Sequence, residues 1–301
     1  MPSFRAAPVR VRVPATSANL GPAFDSAGLA LALYDDVVVR VADRGLVVDV
    51  AGEGSDNLPR DKRHLVVKSL RAAFDLLGGQ PRGLEVVCAN RIPQARGLGS
   101  SSAAIVAAVV AARALVLGGE DALDTDASLR LATELEGHPD NVAACLYGGL
   151  TFAWTGETGV QVRRVDVHPS VCPVAFVPST RASTKKVRGM LPESVSHADA
   201  AANSARAALL ALGLTRDPSV LLDATEDRLH QEYRAPAMPR SASLVRKLRA
   251  AGVPAVISGA GPTVLALASQ GTQDEVAAQV PRGWEALPLA VEPAGAVVVP
   301  L

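Results

Sequence analysis

The sequence predicts an α+β protein of two domains, and three features of its patterning carry that expectation. Short β-branched runs crowd the first ninety residues, a long apolar run follows a glycine and serine loop in the middle, and the second half alternates strand-like with helical stretches. With 301 residues, 49% of them hydrophobic, the chain is long enough to bury one large or two ordinary cores.

The strand-like runs occupy residues 9–13, 37–41, 46–50 and 84–88, each bounded by Gly, Pro or Asp. Between the last two, residues 64–78 (HLVVKSLRAAFDLLG) space their apolar side chains for a helix that stops at glycine. These elements read as a sheet covered by helices. The turn-rich TGETG at residues 155–159 sits between two patterned regions and places a domain boundary, giving domains 1–157 and 158–301. Beyond it, residues 172–178 and 254–268 read as strands, and residues 197–213, 219–233 and 243–252 as helices, a two-layer α+β domain.

Thirty basic and thirty acidic side chains cancel, and no polybasic cluster appears, so neither nucleic acid nor an anionic membrane is the expected partner. The N-terminus lacks the apolar core of a signal peptide, and residues 103–117 are too short for a membrane span and include Arg113. Cys88, Cys145 and Cys172 are odd in number and far apart, which suits reduced thiols in the cytoplasm better than disulfides or a thiolate zinc site.

Four stretches carry candidate chemistry. In GLGSSSAA, Gly97 and Gly99 allow backbone angles closed to other residues, and Ser100, Ser101 and Ser102 sit where a helix must begin. Unpaired amides and the positive end of the helix dipole then suit a phosphate. The string is neither a Walker A loop, nor GxGxxG, nor a GxSxG elbow. An ordinary serine N-cap before a core helix is the plainer alternative.

The second stretch, ELEGHPDNVAACLYGG, gathers Glu134, Glu136, His138, Asp140 and Asn141 around a break between two helices. A carboxylate there could hold Mg²⁺ together with phosphate oxygens and water, or the stretch is a solvated corner. The third, PATSANLGPAFDSAGLAL, offers Asn19 and Asp25, or is a polar Ω-loop without a ligand. The fourth, ISGAGPTVLAL, places glycines and a serine inside an otherwise apolar strand pattern, as close backbone approach or a simple hairpin would require.

Taken together and in this order, these four stretches resemble the successive motifs of the GHMP kinase superfamily, with wording most similar to its homoserine kinases. The resemblance implies a two-domain fold, with an N-terminal domain like domain two of a ribosomal small-subunit protein and a ferredoxin-like C-terminal domain. It implies transfer of the γ-phosphoryl group of ATP to L-homoserine, in threonine biosynthesis, and dimers like those its relatives often form.

By motif position, Pro93, Gly97, Leu98, Gly99, Ser100, Ser101, Ser102 and Ala103 would surround the ATP phosphates, with His64 and Leu65 at the base. Ser101 and Glu136 would hold Mg²⁺. A zwitterion with a hydroxyl needs a cation pair, an acid and a polar group. Arg188 and Arg234 would clamp its carboxylate and Asp25 would face its ammonium. His138, Asp140 and Gly259 would stand nearby, with Asn19 and Asn141 at the hydroxyl. Asn141, Glu136 and Ser101 would carry catalysis without an obvious base, Asp140 being a weaker candidate proton acceptor.

Two departures from the motif bear on the nucleotide. Ala23 replaces a usual glycine, at a cost of roughly 1 kcal/mol or more if that position needs positive φ. His64 replaces an asparagine that commonly contacts adenine. Other small alcohols, or a nucleotide-binding relative without chemistry, are the alternative functions.

Overall fold

The computed structural model describes residues 2–157, 159–182 and 184–301. Its larger sheet is built from β1 (Val9–Ala18), β2 (Ala27–Ala42), β3 (Gly45–Gly52), β4 (Gly83–Asn90), β5 (Leu150–Gly156), β6 (Gly159–Val165) and the C-terminal β11 (Val297–Val299). The order is β11-β1-β2-β4-β3, with β5 pairing β2 and carrying β6. Strands β3 and β4 run parallel, joined by α1 (Leu65–Leu76), as a βαβ crossover must be.

Period-two alternation explains β1. Val9, Val11 and Val13 are buried, while Arg10 and Arg12 on the other face share Asp36. From Pro14 onward the strand is buried on both faces, after a register shift between Pro14 and Ala15. The strand therefore runs on to Ala18, and the polar loop after it is Asn19–Ser26.

Over the sheet lie α1, α2 (Ser100–Leu115), the one-turn α3 (Gly119–Ala122), α4 (Thr125–Glu136) and α5 (Asp140–Tyr147). Helix α2 is apolar almost all round, and eleven of its residues are buried, so it forms the centre of this half. Its alanines let neighbouring helices and β1 approach closely, and each large side chain such as Ile105 or Leu115 contributes about 2 kcal/mol by burial.

The second half contains β7 (Val171–Pro178), α6 (Thr184–Arg188), α7 (His197–Thr215), α8 (Leu221–Ala224), α9 (Gln231–Arg234), α10 (Pro239–Ala250), β8 (Ala255–Ile257), β9 (Val264–Ser269), α11 (Gln273–Ala277) and β10 (Trp284–Pro288). Its antiparallel sheet has the order β10-β7-β9-β8, the ferredoxin-like arrangement. A separate core of Val174, Phe176, Leu244, Leu248 and Val264 underlies it.

Three expectations change. TGETG lies within the β5–β6 hairpin, Thr155 pairing with Val160 and Gly156 with Gly159, so the chain leaves the larger sheet only after Val165; Thr158 lies outside the described residues. Residues 254–268 form a hairpin, β8 and β9, whose glycine loop reaches back toward α2.

Residues 219–233 are not one helix. Asp227 accepts the N–H groups of Leu229, His230 and Gln231, Thr225 donates back to the Leu221 carbonyl, and Arg249 takes the Leu222 carbonyl. Side chains thereby claim the groups that a continuous helix would pair.

Candidate active site

A cleft of ≈ 310 Å³ opens where the β1–β2 loop, the N-terminus of α2, the α4–α5 corner, α6, α9 and the β8–β9 loop converge. Its lining includes Asn19, Asp25, Gly97, Gly99, Ser101, Glu136, His138, Asn141, Arg188, Arg234 and Gly259. A narrower cavity of ≈ 230 Å³ adjoins it past Ala95, Ser100 and Ser101, and is lined by His64, Leu65, Val37, Leu58 and Asp35.

The glycine and serine loop owes its shape to steric limits. Gly99 is the N-cap of α2 at φ +71°, and a Cβ there would lie 1.9 Å from Thr16 Oγ1. Gly97 has φ +82°, and its Cβ would lie 2.3 Å from the Ser258 carbonyl. No side chain caps the helix, so the serine N-cap alternative does not hold.

Ser100, Ser101 and Ser102 occupy the first turn, and among the described residues their amides donate to no backbone carbonyl. The turn thus presents free N–H groups and the positive dipole end to the cleft. Pro93, Leu98 and Ala103 are buried behind it, with the Leu98 carbonyl accepting from Thr16 N at 3.1 Å.

Glu136, the last residue of α4, reaches this same turn. It accepts from Ser101 Oγ at 2.7 Å and from Ser102 Oγ at 2.9 Å. Among the described residues no group of three or more His, Cys, Asp or Glu side chains could cage a metal. One carboxylate beside one hydroxyl nevertheless fits Mg²⁺, which fills its remaining positions with water and phosphate oxygens.

Across the cleft, Asp25 and Arg188 form a two-pronged ion pair with both N···O distances at 2.7 Å. Asn19 donates from Nδ2 to the Gly259 carbonyl at 2.9 Å and accepts Asp25 N at 2.9 Å, so it orders the loop as well as lining the cleft. Both Asn19 (φ +70°) and Asp25 (φ +54°) lie in the left-handed region, as does Leu20 between Asn19 and Gly21. Ala23 does not, so its methyl carries no strain, and the residue is buried in the core.

Asp140 is buried at the start of α5 and accepts from Asn141 N at 2.8 Å. His138 Nδ1 lies 2.6 Å from the same carboxylate oxygen, and that hydrogen bond raises the histidine above its ordinary pKa against the opposing effect of burial. Arg234 is 2% exposed and forms no ion pair among the described residues. His64 caps α1 through Nδ1, which accepts from Val66 N, and its buried Nε2 has no partner.

Two family models match the chain: the GHMP kinases N terminal domain over residues 64–149 and the GHMP kinases C terminal domain over residues 205–286. A homoserine kinase of Streptomyces avermitilis is 65% identical over 100% of this chain and 98% of its own. One from Clavibacter michiganensis is 51% identical over 96% of this chain and 93% of its own.

The chain belongs to the homoserine kinases of the GHMP kinase family.

The crystal structure of a homoserine kinase from Cytophaga hutchinsonii superimposes with a TM-score of 0.85 at 26% identity, covering 99% of both chains. A mevalonate kinase of L. major shares the fold, with a TM-score of 0.72 at 17% identity. As a GHMP kinase this protein is an ATP-dependent phosphotransferase, and no helix among its described residues is long and apolar enough to cross a membrane.

Most of the singled-out residues line the cleft, its adjoining cavity or the helix turn between them, whereas Pro93 and Leu98 lie buried behind that turn and Glu134 lines neither cavity. Sequence reasoning gave no role to four that complete the cleft. Thr16 donates to Asn141 Oδ1 at 2.7 Å, Ser258 donates to the Gly97 carbonyl at 2.6 Å beside Ser17, and His230 lies against Gly21 and Arg234. The readable signal for Thr16 and Ser17 was their polarity in the middle of an apolar strand.

Proposed function

We propose that this kinase transfers the γ-phosphoryl group of ATP to the side-chain hydroxyl of L-homoserine, giving O-phospho-L-homoserine on the way to threonine. The observation that carries this reading is the division of charge across one cleft. A helix turn with free amides and a carboxylate faces Asp25, Arg188 and Arg234, the set of charges that a small zwitterion requires.

Ser100, Ser101 and Ser102 receive the phosphates through their amides, while His64 and Leu65 border the base. Ser101 and Glu136 hold Mg²⁺, which neutralises phosphate charge when bound. Arg188 and Arg234 take the substrate carboxylate and Asp25 its ammonium. A bound zwitterion thus exchanges the internal Asp25–Arg188 pair for two pairs of its own.

Asn141 orients the hydroxyl. Its Oδ1 is occupied by the Thr16 hydroxyl and its Nδ2 lies 3.4 Å from Asp140 Oδ1, which fixes the amide with its donor available. An amide donor positions an attacking oxygen without removing its proton. Asp140 receives Asn141 N and His138 on Oδ1, and its role in this reading is to hold those two groups. Rate enhancement then rests on alignment and charge neutralisation, as phosphoryl transfer permits.

The reading extends to a homodimer working in the cytoplasm. The deciding test is ADP release with Mg-ATP against homoserine, serine, threonine, mevalonate and galactose. Selective turnover of homoserine is the expected result. Preference for another alcohol would reassign the substrate, and ATP binding without any turnover would sink the kinase reading.

A further inference from the structure

His230 opens the HQEYRAP stretch that contains Arg234 but has no role assigned by the sequence, and it is wholly buried between the two halves of the protein. Its Nε2 is 2.8 Å from the Gly21 carbonyl, and its Nδ1 is 3.2 Å from Arg234 Nη1. A carbonyl only accepts and a guanidinium only donates, so these partners together demand one state of the ring. Nε2 must carry the proton and Nδ1 must be bare. An imidazolium would turn a second N–H toward the cation, and burial with the Arg234 charge adds to the cost of protonation, against the pull of Asp227 3.6 Å away.

The two partners of this ring belong to different parts of the cleft. Gly21 follows Asn19 and Leu20 in a run of three left-handed residues and precedes Asp25. Its loop is held against the C-terminal half by Asn203, which donates to the Pro22 carbonyl at 2.8 Å, and by close packing of Gly21 on the Thr225 carbonyl. Arg234 approaches from the other side, its Nη1 3.4 Å from the Gly259 carbonyl and its buried Nε without a partner.

Phe24 lies between them. Its ring is 5.1 Å from the His230 ring, and the guanidinium carbons of Arg234 and Arg188 stand 5.2 Å and 5.3 Å from its centroid. The aromatic face accommodates two cations, but it is sloppy about angle. A directed hydrogen bond is what sets the rotation of the arginine fork about its own axis.

We propose that His230 is a positioning residue for substrate recognition: one imidazole ties the Gly21 loop to Arg234 and turns the free edge of that guanidinium toward the substrate carboxylate. This rests on the reading of Arg234 as a carboxylate partner. It makes His230 specific for one substrate group, whereas a general packing role would affect every ligand of the cleft.

The test compares His230→Leu and His230→Gln on homoserine and on 2-aminobutane-1,4-diol, which has a CH₂OH in place of the carboxylate. Leucine fills the space but removes both hydrogen bonds, and its KM for homoserine should rise about tenfold, the loss of one charge-assisted hydrogen bond. KM for ATP and for the diol should stay within about twofold of wild type. Glutamine offers one donor and one acceptor, and should recover most of the loss.

Equal increases for both alcohols, or no increase for homoserine, would overturn the inference. Arg234→Ala separates it from the reading beneath it: if that variant binds homoserine normally, the carboxylate assignment fails. If Arg234→Ala is impaired and His230→Leu is not, only the role of His230 fails. Should His230→Leu not fold, ¹⁵N spectra of the wild-type imidazole at pH 7.5 decide, with a protonated Nε2 and a bare Nδ1 expected. The other tautomer or an imidazolium would overturn the arrangement.

Discussion

Thr16 and Asn141 stand 125 residues apart in the chain, yet the Thr16 hydroxyl donates to Asn141 Oδ1 at 2.7 Å with both residues buried. The contact decides which end of the amide is free for the substrate hydroxyl. Thr16→Val keeps the shape of the side chain and removes the donor, so the amide loses its fixed sense. We expect kcat to fall about tenfold to a hundredfold, with KM for ATP within about twofold. Unchanged kcat would mean that Asn141 does not depend on Thr16 for its orientation.

Glu136 combines a charge with two acceptor oxygens, each occupied by a serine hydroxyl. Glu136→Gln keeps the size but loses the charge and one acceptor. The Mg²⁺ concentration for half-maximal ADP release should rise about tenfold or more, and kcat/KM should fall about a hundredfold. Ser101→Ala should show the same direction with a smaller loss. A Glu136→Gln enzyme with wild-type magnesium dependence would remove Glu136 from the metal site.

Asp35 is buried in the floor of the narrower cavity, and its Oδ1 accepts the amides of Arg91 at 2.6 Å and Ile92 at 2.8 Å. Burial outweighs those hydrogen bonds and pushes its carboxyl up to about 6 from an ordinary 3.8. Between these values the folded state holds the proton that the unfolded chain has released, so stability falls as pH rises through the window. The penalty reaches roughly 3 kcal/mol above it. Asp35→Asn keeps the acceptor and abolishes the titration. The variant should melt higher than wild type at pH 8 and at about the same temperature near pH 4, a difference that thermal melts at the two pH values will read.

Much of this was legible because it is local. Gly97, Gly99 and the three serines form one string whose backbone demands are visible in residue type, and Glu136 sits in a short corner recognisable by its glycine and proline. Arg188 and Arg234 could be picked from many arginines only by their place in longer motifs. Nothing local gives His230 its role, and Ser258 is marked only as a serine inside an apolar strand pattern, because their partners lie 209 and 161 residues away. The break within residues 219–233 was hidden for a related reason. Helical periodicity is intact there, and the side chains of Thr225, Asp227 and Arg249 override it through the backbone groups they capture. TGETG misled differently, because a hairpin turn and a linker favour the same residues.

His64 tests how a single substituted residue shapes nucleotide recognition. Its Nδ1 accepts from Val66 N at 3.2 Å and is thereby bare, so in the neutral ring the buried and unpartnered Nε2 carries the hydrogen. Burial lowers its pKa, which keeps the ring in that neutral form. Toward a base in the adjoining cavity His64 can only donate. Asparagine would still cap α1 and would offer the base an acceptor as well as a donor. His64→Asn should therefore leave the melting temperature nearly unchanged and lower KM for ATP severalfold, with KM for homoserine unaffected. His64→Ala loses both roles: it should destabilise the fold by about 1 kcal/mol through the missing cap and raise KM for ATP. An alanine variant that loses stability but binds ATP as tightly as wild type would confine His64 to the helix end and leave recognition of the base to the apolar walls of the cavity.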